Sequence, residues 1–206
     1  MSDPAAHRRL SVEEYLRLEE SSDVRHELVA GETYAMTGGT LRHNQIALNI
    51  AALLLAAARG GPCHVFVNDV KLRIGDDFYY PDLIVDCEPH HGGEVFVRAP
   101  CVVVEVLSDS TRRTDRREKL EAYRRVDALR AYLLVEQDER RVERHWRDDD
   151  GTWRHEAVSA AAGTSAVAIP CPPVELTLDA IYEGVELPPP SARVRRVREG
   201  GAPAAR

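Results

Sequence analysis

Six consecutive residues, Val102-Val103-Val104-Glu105-Val106-Leu107, hold five apolar side chains and one carboxylate. Apolar residues fill both strand periods instead of alternating with polar ones, so the run reads as a strand covered on both faces. Such a strand lies inside a sheet with layers packed on either side. An ionised Glu105 there costs several kcal/mol unless a metal, a cation or a dense hydrogen-bond set compensates it. A second carboxylate, Asp82, opens another apolar run at Pro81-Asp82-Leu83-Ile84-Val85. Two such residues on neighbouring strands imply a cation between them.

The remaining chain supplies the layers. Ser11 and Glu14 have capping-box spacing and start a helix carrying Tyr15, Leu16 and Leu18. Residues 25–37 read as a hairpin turning at Ala30-Gly31-Glu32, with Leu28, Tyr34 and Met36 offered to a core. A longer helix over 41–59 carries Ile46, Leu48, Ile50, Leu53, Leu54 and Leu55 and is closed by Gly60-Gly61-Pro62. Strands follow over 63–74, 78–87 and 100–107, then a helix over 114–126 and a strand over 130–137. Residues 141–147 and 152–159 flank Asp148-Asp149-Asp150-Gly151 as a charged hairpin, 160–173 is connection, and 176–182 is a terminal helix. This order is α/β with a mixed sheet. Residues 1–187 are expected to form one domain, and 188–206, with three prolines and then Arg193, Arg195, Arg196 and Arg198, a disordered basic tail.

The formal charge of −7 excludes a surface bathed in positive potential, so any nucleic-acid contact needs a local basic face or a bound metal. Such a face is available: Arg112, Arg113, Arg116, Arg117, Lys119, Arg124 and Arg125 crowd one short segment. No aromatic residues interleave with them in the way a single-strand binder requires. Cys63, Cys87, Cys101 and Cys171 lack the close spacing of zinc sites or redox dithiols and are expected as free, buried thiols. With no apolar leader and no apolar stretch long enough to span a bilayer, a soluble cytoplasmic protein is expected.

Pro81-Asp82 followed by Glu105 on the next strand resembles the PD-(D/E)XK nuclease superfamily. Arg25-His26-Glu27-Leu28 with Gly31-Glu32, then His43-Asn44, Pro81-Asp82, Glu105-Val106-Leu107-Ser108 and Lys119-Leu120 with Tyr123 resemble, more narrowly, the Uma-two family of restriction-endonuclease-like proteins. The resemblance implies a restriction-endonuclease-like core, a mixed central sheet flanked by helices, preceded by an N-terminal helix and hairpin. It implies a metal-dependent endonuclease acting on DNA, with Asp82, Glu105 and the Val106 backbone carbonyl holding Mg²⁺ or Mn²⁺.

The superfamily's lysine two residues after the glutamate is Leu107 here, and the family pattern places it instead at Lys119 on the following helix. Asp115, Lys119 and Tyr123, spaced i, i+4, i+8, share one helix face. Glu27 and His43 match positions beside the same site, as a contact to metal-bound water and a contact to phosphate or water respectively. Asp109, Ala131 and Glu136 depart from the family pattern.

Two other readings stand beside this one. The first is a nuclease-fold module without turnover that binds nucleic acid or protein. The second is a structural protein in which Glu105 is neutralised by Lys71 or Lys119. Because one small domain presents one site, cutting both strands of a duplex favours a homodimer.

Overall fold

The computed structural model describes residues 9–36, 38–108 and 111–189. The expected tail beyond residue 189, Thr37 at the hairpin end and the family departure at Asp109 lie outside the described residues.

The apolar run forms β8 (Pro100–Leu107), and every residue of it is buried. It sits within a six-stranded sheet ordered β11-β10-β9-β8-β6-β3. These strands are β3 (His64–Val67), β6 (Leu83–Asp86), β9 (Ala131–Glu136), β10 (Arg141–Arg147) and β11 (Trp153–Ser159). β8 runs parallel to β9 and antiparallel to β6, so the sheet is mixed.

Side chains alternate across β8. Val102, Val104 and Val106 face one core, which contains Ile46, Ile50 and Leu54 of helix α2 (Leu41–Ala58). Val103 and Leu107 face a second core with Leu72, Tyr79, Val97 and Tyr123. Each fully buried Val or Leu contributes roughly 1.5–3 kcal/mol, which fixes β8 as the centre of the fold. Glu105 shares the parity of Val103 and Leu107 and therefore points to the second core.

A second sheet, β2-β1-β5-β4-β7, packs on that side. It is made of β1 (His26–Val29), β2 (Glu32–Ala35), β4 (Lys71–Ile74), β5 (Asp77–Tyr79) and β7 (Phe96–Val97). Two expected continuous strands are thus each divided between sheets. The first breaks at Asn68 and Asp69, which both adopt positive φ (47° and 55°). The second breaks at Tyr80-Pro81-Asp82, where proline cannot donate to a ladder. This second break leaves Asp82 just ahead of β6 instead of inside a strand.

Helix α1 (Val12–Ser21) has the expected capping box and buries Tyr15 against Leu28 and Phe78. The β1–β2 turn forms as read, but only Leu28 reaches a core; Tyr34 and Met36 are exposed. On α2 the buried face uses Ala47, Ala51 and Ala58 with Ile46, Ile50 and Leu54, while Leu48 and Leu55 are exposed. Small alanines let the helix approach the sheet closely. The segment read as connection contains β12 (Ala166–Pro170), paired with β13 (Pro173–Thr177), and the closing helix shrinks to Leu178–Ile181.

The cysteines are not free. Cys63 bonds Cys87 and Cys101 bonds Cys171. Register explains the first pair, since β3 and β6 match His64 with Asp86 and so set residues 63 and 87 opposite each other. Sequence spacing could not reveal a contact created by strand pairing. Among the described residues no helix is long and apolar enough to cross a membrane.

Candidate active site

β6 pairs with β8 through Leu83↔Val104. Continued by one residue, that register sets Asp82 against Glu105. The Asp82 carboxylate takes over where the ladder stops: its Oδ2 accepts from the Val106 backbone N–H at 2.7 Å. His43 Nε2 lies 3.3 Å from the same oxygen. Thr40 caps α2 by accepting from the His43 backbone N–H, which places the imidazole on the first helical turn, and its hydroxyl donates to Gln137 at 2.8 Å. Burial disfavours the imidazolium, but the Asp82 carboxylate and the Val106 backbone outweigh it and raise the His43 pKa above the ordinary histidine value.

Glu105 Oε1 accepts from Lys119 Nζ and from the Tyr123 hydroxyl, each at 3.0 Å. Lys119 Nζ also lies 2.9 Å from Glu27 and 3.3 Å from Asp115. Glu27 in turn accepts from the Tyr80 backbone N–H at 3.1 Å, which ties it to the strand break before Asp82. The ammonium side chain is only 6% exposed. Burial acts against its charge, but Glu105, Glu27 and Asp115 overcome that and hold its pKa well above the usual lysine value. Burial raises the Glu105 pKa, with Lys119 opposing the rise. Asp115 is raised for the same reason.

The helical segment bearing Asp115, Lys119 and Tyr123 is irregular. It comprises α3 (Arg112–Thr114), a π-helical turn (Asp115–Lys119) and α4 (Leu120–Tyr123). Five-residue hydrogen bonding widens the turn and turns Asp115 and Lys119 inward together. Tyr132 anchors it from β9 by donating to the Asp115 carbonyl at 3.1 Å.

The structure therefore brings Asp82, Glu105, Val106, Lys119, Glu27, His43 and Asp115 to one side of an open cleft of about 1060 Å³, with Tyr123 buried behind Glu105. It distributes the arginines differently. Arg112 and Arg116 lie against Glu136 at 2.7 and 2.6 Å, and Arg116 also meets Glu143 at 3.0 Å. Arg113 and Arg117 are exposed. Sequence reading missed the cleft's acidity: Asp69, Glu118 and Asp138 join the carboxylates already named. It also missed that exposed Tyr34 and Met36 line the cleft wall instead of the core. The pair Asn68-Asp69, residue types that tolerate left-handed backbone, was the available signal for a break there.

The donor set suits a hard divalent ion. Asp82, Glu105, Glu27 and Asp115 supply oxygen, and with Lys119 as the compensating ammonium they leave a formal charge of −3 when all are ionised. Both Asp115 carboxylate oxygens are buried without a hydrogen bond, Lys119 being an ionic neighbour only. Both contacts to Glu105 fall on Oε1, and neither uses Oε2.

Residues 12–180 match the family model described as "Uma2: Putative restriction endonuclease". The chain belongs to the Uma2 family. Among relatives, the uncharacterized protein slr1290 of Synechocystis sp. is 37% identical over 148 residues, covering 70% of this chain and 78% of that protein. Its companion sll1609 is 31% identical over 149 residues, covering 70% and 84%. Among solved structures, a putative nuclease belonging to DUF820 from Anabaena variabilis superposes with a TM-score of 0.71 at 16% identity, covering 86% of this chain and 99% of that one. The nuclease fold expected from sequence is thus the fold of this Uma2 chain. The superfamily's missing lysine also has a physical counterpart here: Leu107 is buried in the second core, and Lys119 enters from the helix to meet Glu105.

Proposed function

We propose that this Uma2 protein is a metal-dependent endonuclease that hydrolyses phosphodiester bonds in DNA. The observation that carries the reading is the junction of Asp82 and Glu105 at adjacent strand ends, with one buried lysine between carboxylates that outnumber it. Asp82, Glu105 and the Val106 carbonyl would hold Mg²⁺ or Mn²⁺. Such an ion, when bound, acidifies water and neutralises charge on phosphoryl oxygens.

The chain's own residues do the rest. Lys119 is held protonated, so it serves as a fixed donor and positive charge toward the attacking water or the phosphoryl oxygens and not as a base. Tyr123 fixes the Glu105 rotamer by donating to it. Glu27 restrains the ammonium from the opposite side. His43, whose pKa is raised beside Asp82, offers its imidazole to a phosphate or water at the cleft. An acidic cleft repels a polyanion, so a cation at the carboxylates is also required for the substrate to enter. Arg113 and Arg117, exposed on the π-helical segment and the turn before it, supply backbone contacts beside the cleft. A homodimer would place two such sites across a duplex, which light scattering on the eluting peak would reveal as twice the chain mass.

The test is nicking of supercoiled plasmid with Mg²⁺ or Mn²⁺, alongside EDTA and the variants Asp82→Asn and Glu105→Gln. Metal-dependent nicking that both variants lose is expected. Activity surviving both variants, or no nicking together with no metal-induced rise in melting temperature, would overturn the reading.

A further inference from the structure

β6 and β8 carry the carboxylate site at one end and a cluster of sulfur at the other. Cys87 follows β6, Cys101 lies near the start of β8, Cys63 precedes β3, and Cys171 sits in the turn between β12 and β13. Two disulfides require only that their own partners meet, yet these two also lie against each other. Cys87 Sγ is 3.5 Å from Cys101 Sγ, and the sulfurs of Cys87, Cys101 and Cys171 all lie within 4.8 Å of one another. Cys63 Sγ is bonded to that of Cys87, so a fourth sulfur, from a fourth element, adjoins this group of three.

A tetrahedral ion with zinc–sulfur bonds of about 2.3 Å sets its sulfurs roughly 3.8 Å apart, the scale already present among Cys87, Cys101 and Cys171, and reduction frees Cys63 to turn in as the fourth. A set made only of thiolates is soft and selects zinc over the hard ions suited to carboxylates. We propose that the reduced protein binds one zinc ion through Cys63, Cys87, Cys101 and Cys171, and that the paired disulfides are the oxidised form of the same site. Reduction delivers two electrons and two protons to each disulfide. Zinc then displaces the four thiol protons and leaves a centre of charge −2. With four protein ligands the site is closed, so its role is structural. It pins the β12–β13 hairpin to the sheet about 13 Å from Glu105, four strand residues along β8 from Cys101.

The experiment uses the full chain, reduced anaerobically with a water-soluble phosphine, which takes up oxygen from water as each disulfide opens. Cobalt(II) is titrated as the spectroscopic probe and zinc(II) is then added. Intense thiolate-to-cobalt charge-transfer bands saturating at one ion per chain, and bleached by one equivalent of zinc, are expected. Asp82→Asn should leave these bands intact because a carboxylate site gives no sulfur charge transfer. Cys171→Ser, altered in the half-buried turn between β12 and β13, should shift or weaken them. One equivalent of zinc should also slow the reaction of all four thiols with a disulfide reagent. Absence of thiolate bands in the wild-type chain, or four thiols reacting equally fast with and without zinc, would overturn the proposal.

Discussion

Replacing Lys119 with methionine removes a positive charge from among Glu27, Glu105 and Asp115 while keeping most of the side-chain volume. If Lys119 were only an exposed partner of Asp115 one turn away, the loss would be about 0.3–0.5 kcal/mol. The ammonium is instead buried and shared by three carboxylates at 2.9–3.3 Å. Removing one partner of a buried ionic group typically costs roughly 3–5 kcal/mol, because the remaining charges stay buried. For a chain of this size that corresponds to a melting temperature lowered by roughly 6–20 °C.

The loss must also depend on pH in a definite direction. Burial already raises Glu105 and Asp115, with Lys119 opposing. Without the lysine they rise further, so the folded state binds more protons than the unfolded state, and stability grows as pH falls toward the raised values. In the wild type, the raised lysine keeps its charge below its usual pKa, so it adds no such slope between pH 5 and 8. Urea denaturation of Lys119→Met at pH 8 and pH 5.5 reads both effects. A deficit under about 1 kcal/mol at pH 8, or one that does not shrink on acidification, would refute the buried-ammonium reasoning.

Three further outcomes are expected. His145 is buried beside His155 with Nδ1 unpartnered, and burial first, then that neighbour, lower its pKa to about 4. Being neutral in the fold while the unfolded chain takes a proton below about 6.5, it should lower stability by up to roughly 3 kcal/mol as pH falls from 6.5 to 4, and His145→Phe should flatten that limb in pH-dependent melting. Ala30 adopts φ 51° in the β1–β2 turn ahead of Gly31, so Ala30→Asn, which suits left-handed backbone, should stabilise by roughly 0.5–1 kcal/mol in urea titration. Arg113→Ala with Arg117→Ala should lessen the slope of log affinity for duplex DNA against log salt by roughly 2 in filter binding with Ca²⁺ present, whereas Arg112→Ala should instead lower stability through Glu136.

The central strand and its carboxylate were legible because a buried strand announces itself by losing alternation, and a charged residue within it demands compensation. Lys119 was legible from the family resemblance, and the face it shares with Asp115 and Tyr123 from helical spacing, although the sequence does not distinguish a π turn from an α turn. Strand continuity across Asn68-Asp69 and Tyr80-Pro81 was misread because each run changes sheets, which is a tertiary event. Cys63 with Cys87, and Arg112 or Arg116 with Glu136, meet only through strand pairing or packing across the fold, beyond the reach of local pattern.

The π turn has a consequence for how this segment tolerates change in length. Regular α-helix advances about 100° per residue, and the wider π turn absorbs one such step, so deleting one residue between Asp115 and Lys119 would let the segment wind without its bulge and leave the helix beyond it facing the same way. The helix itself would gain better hydrogen bonding, and Lys119 and Tyr123 would keep their reach to Glu105. The segment thus carries one residue more than its register needs, and a chain shortened there would be a better helix around the same two donors.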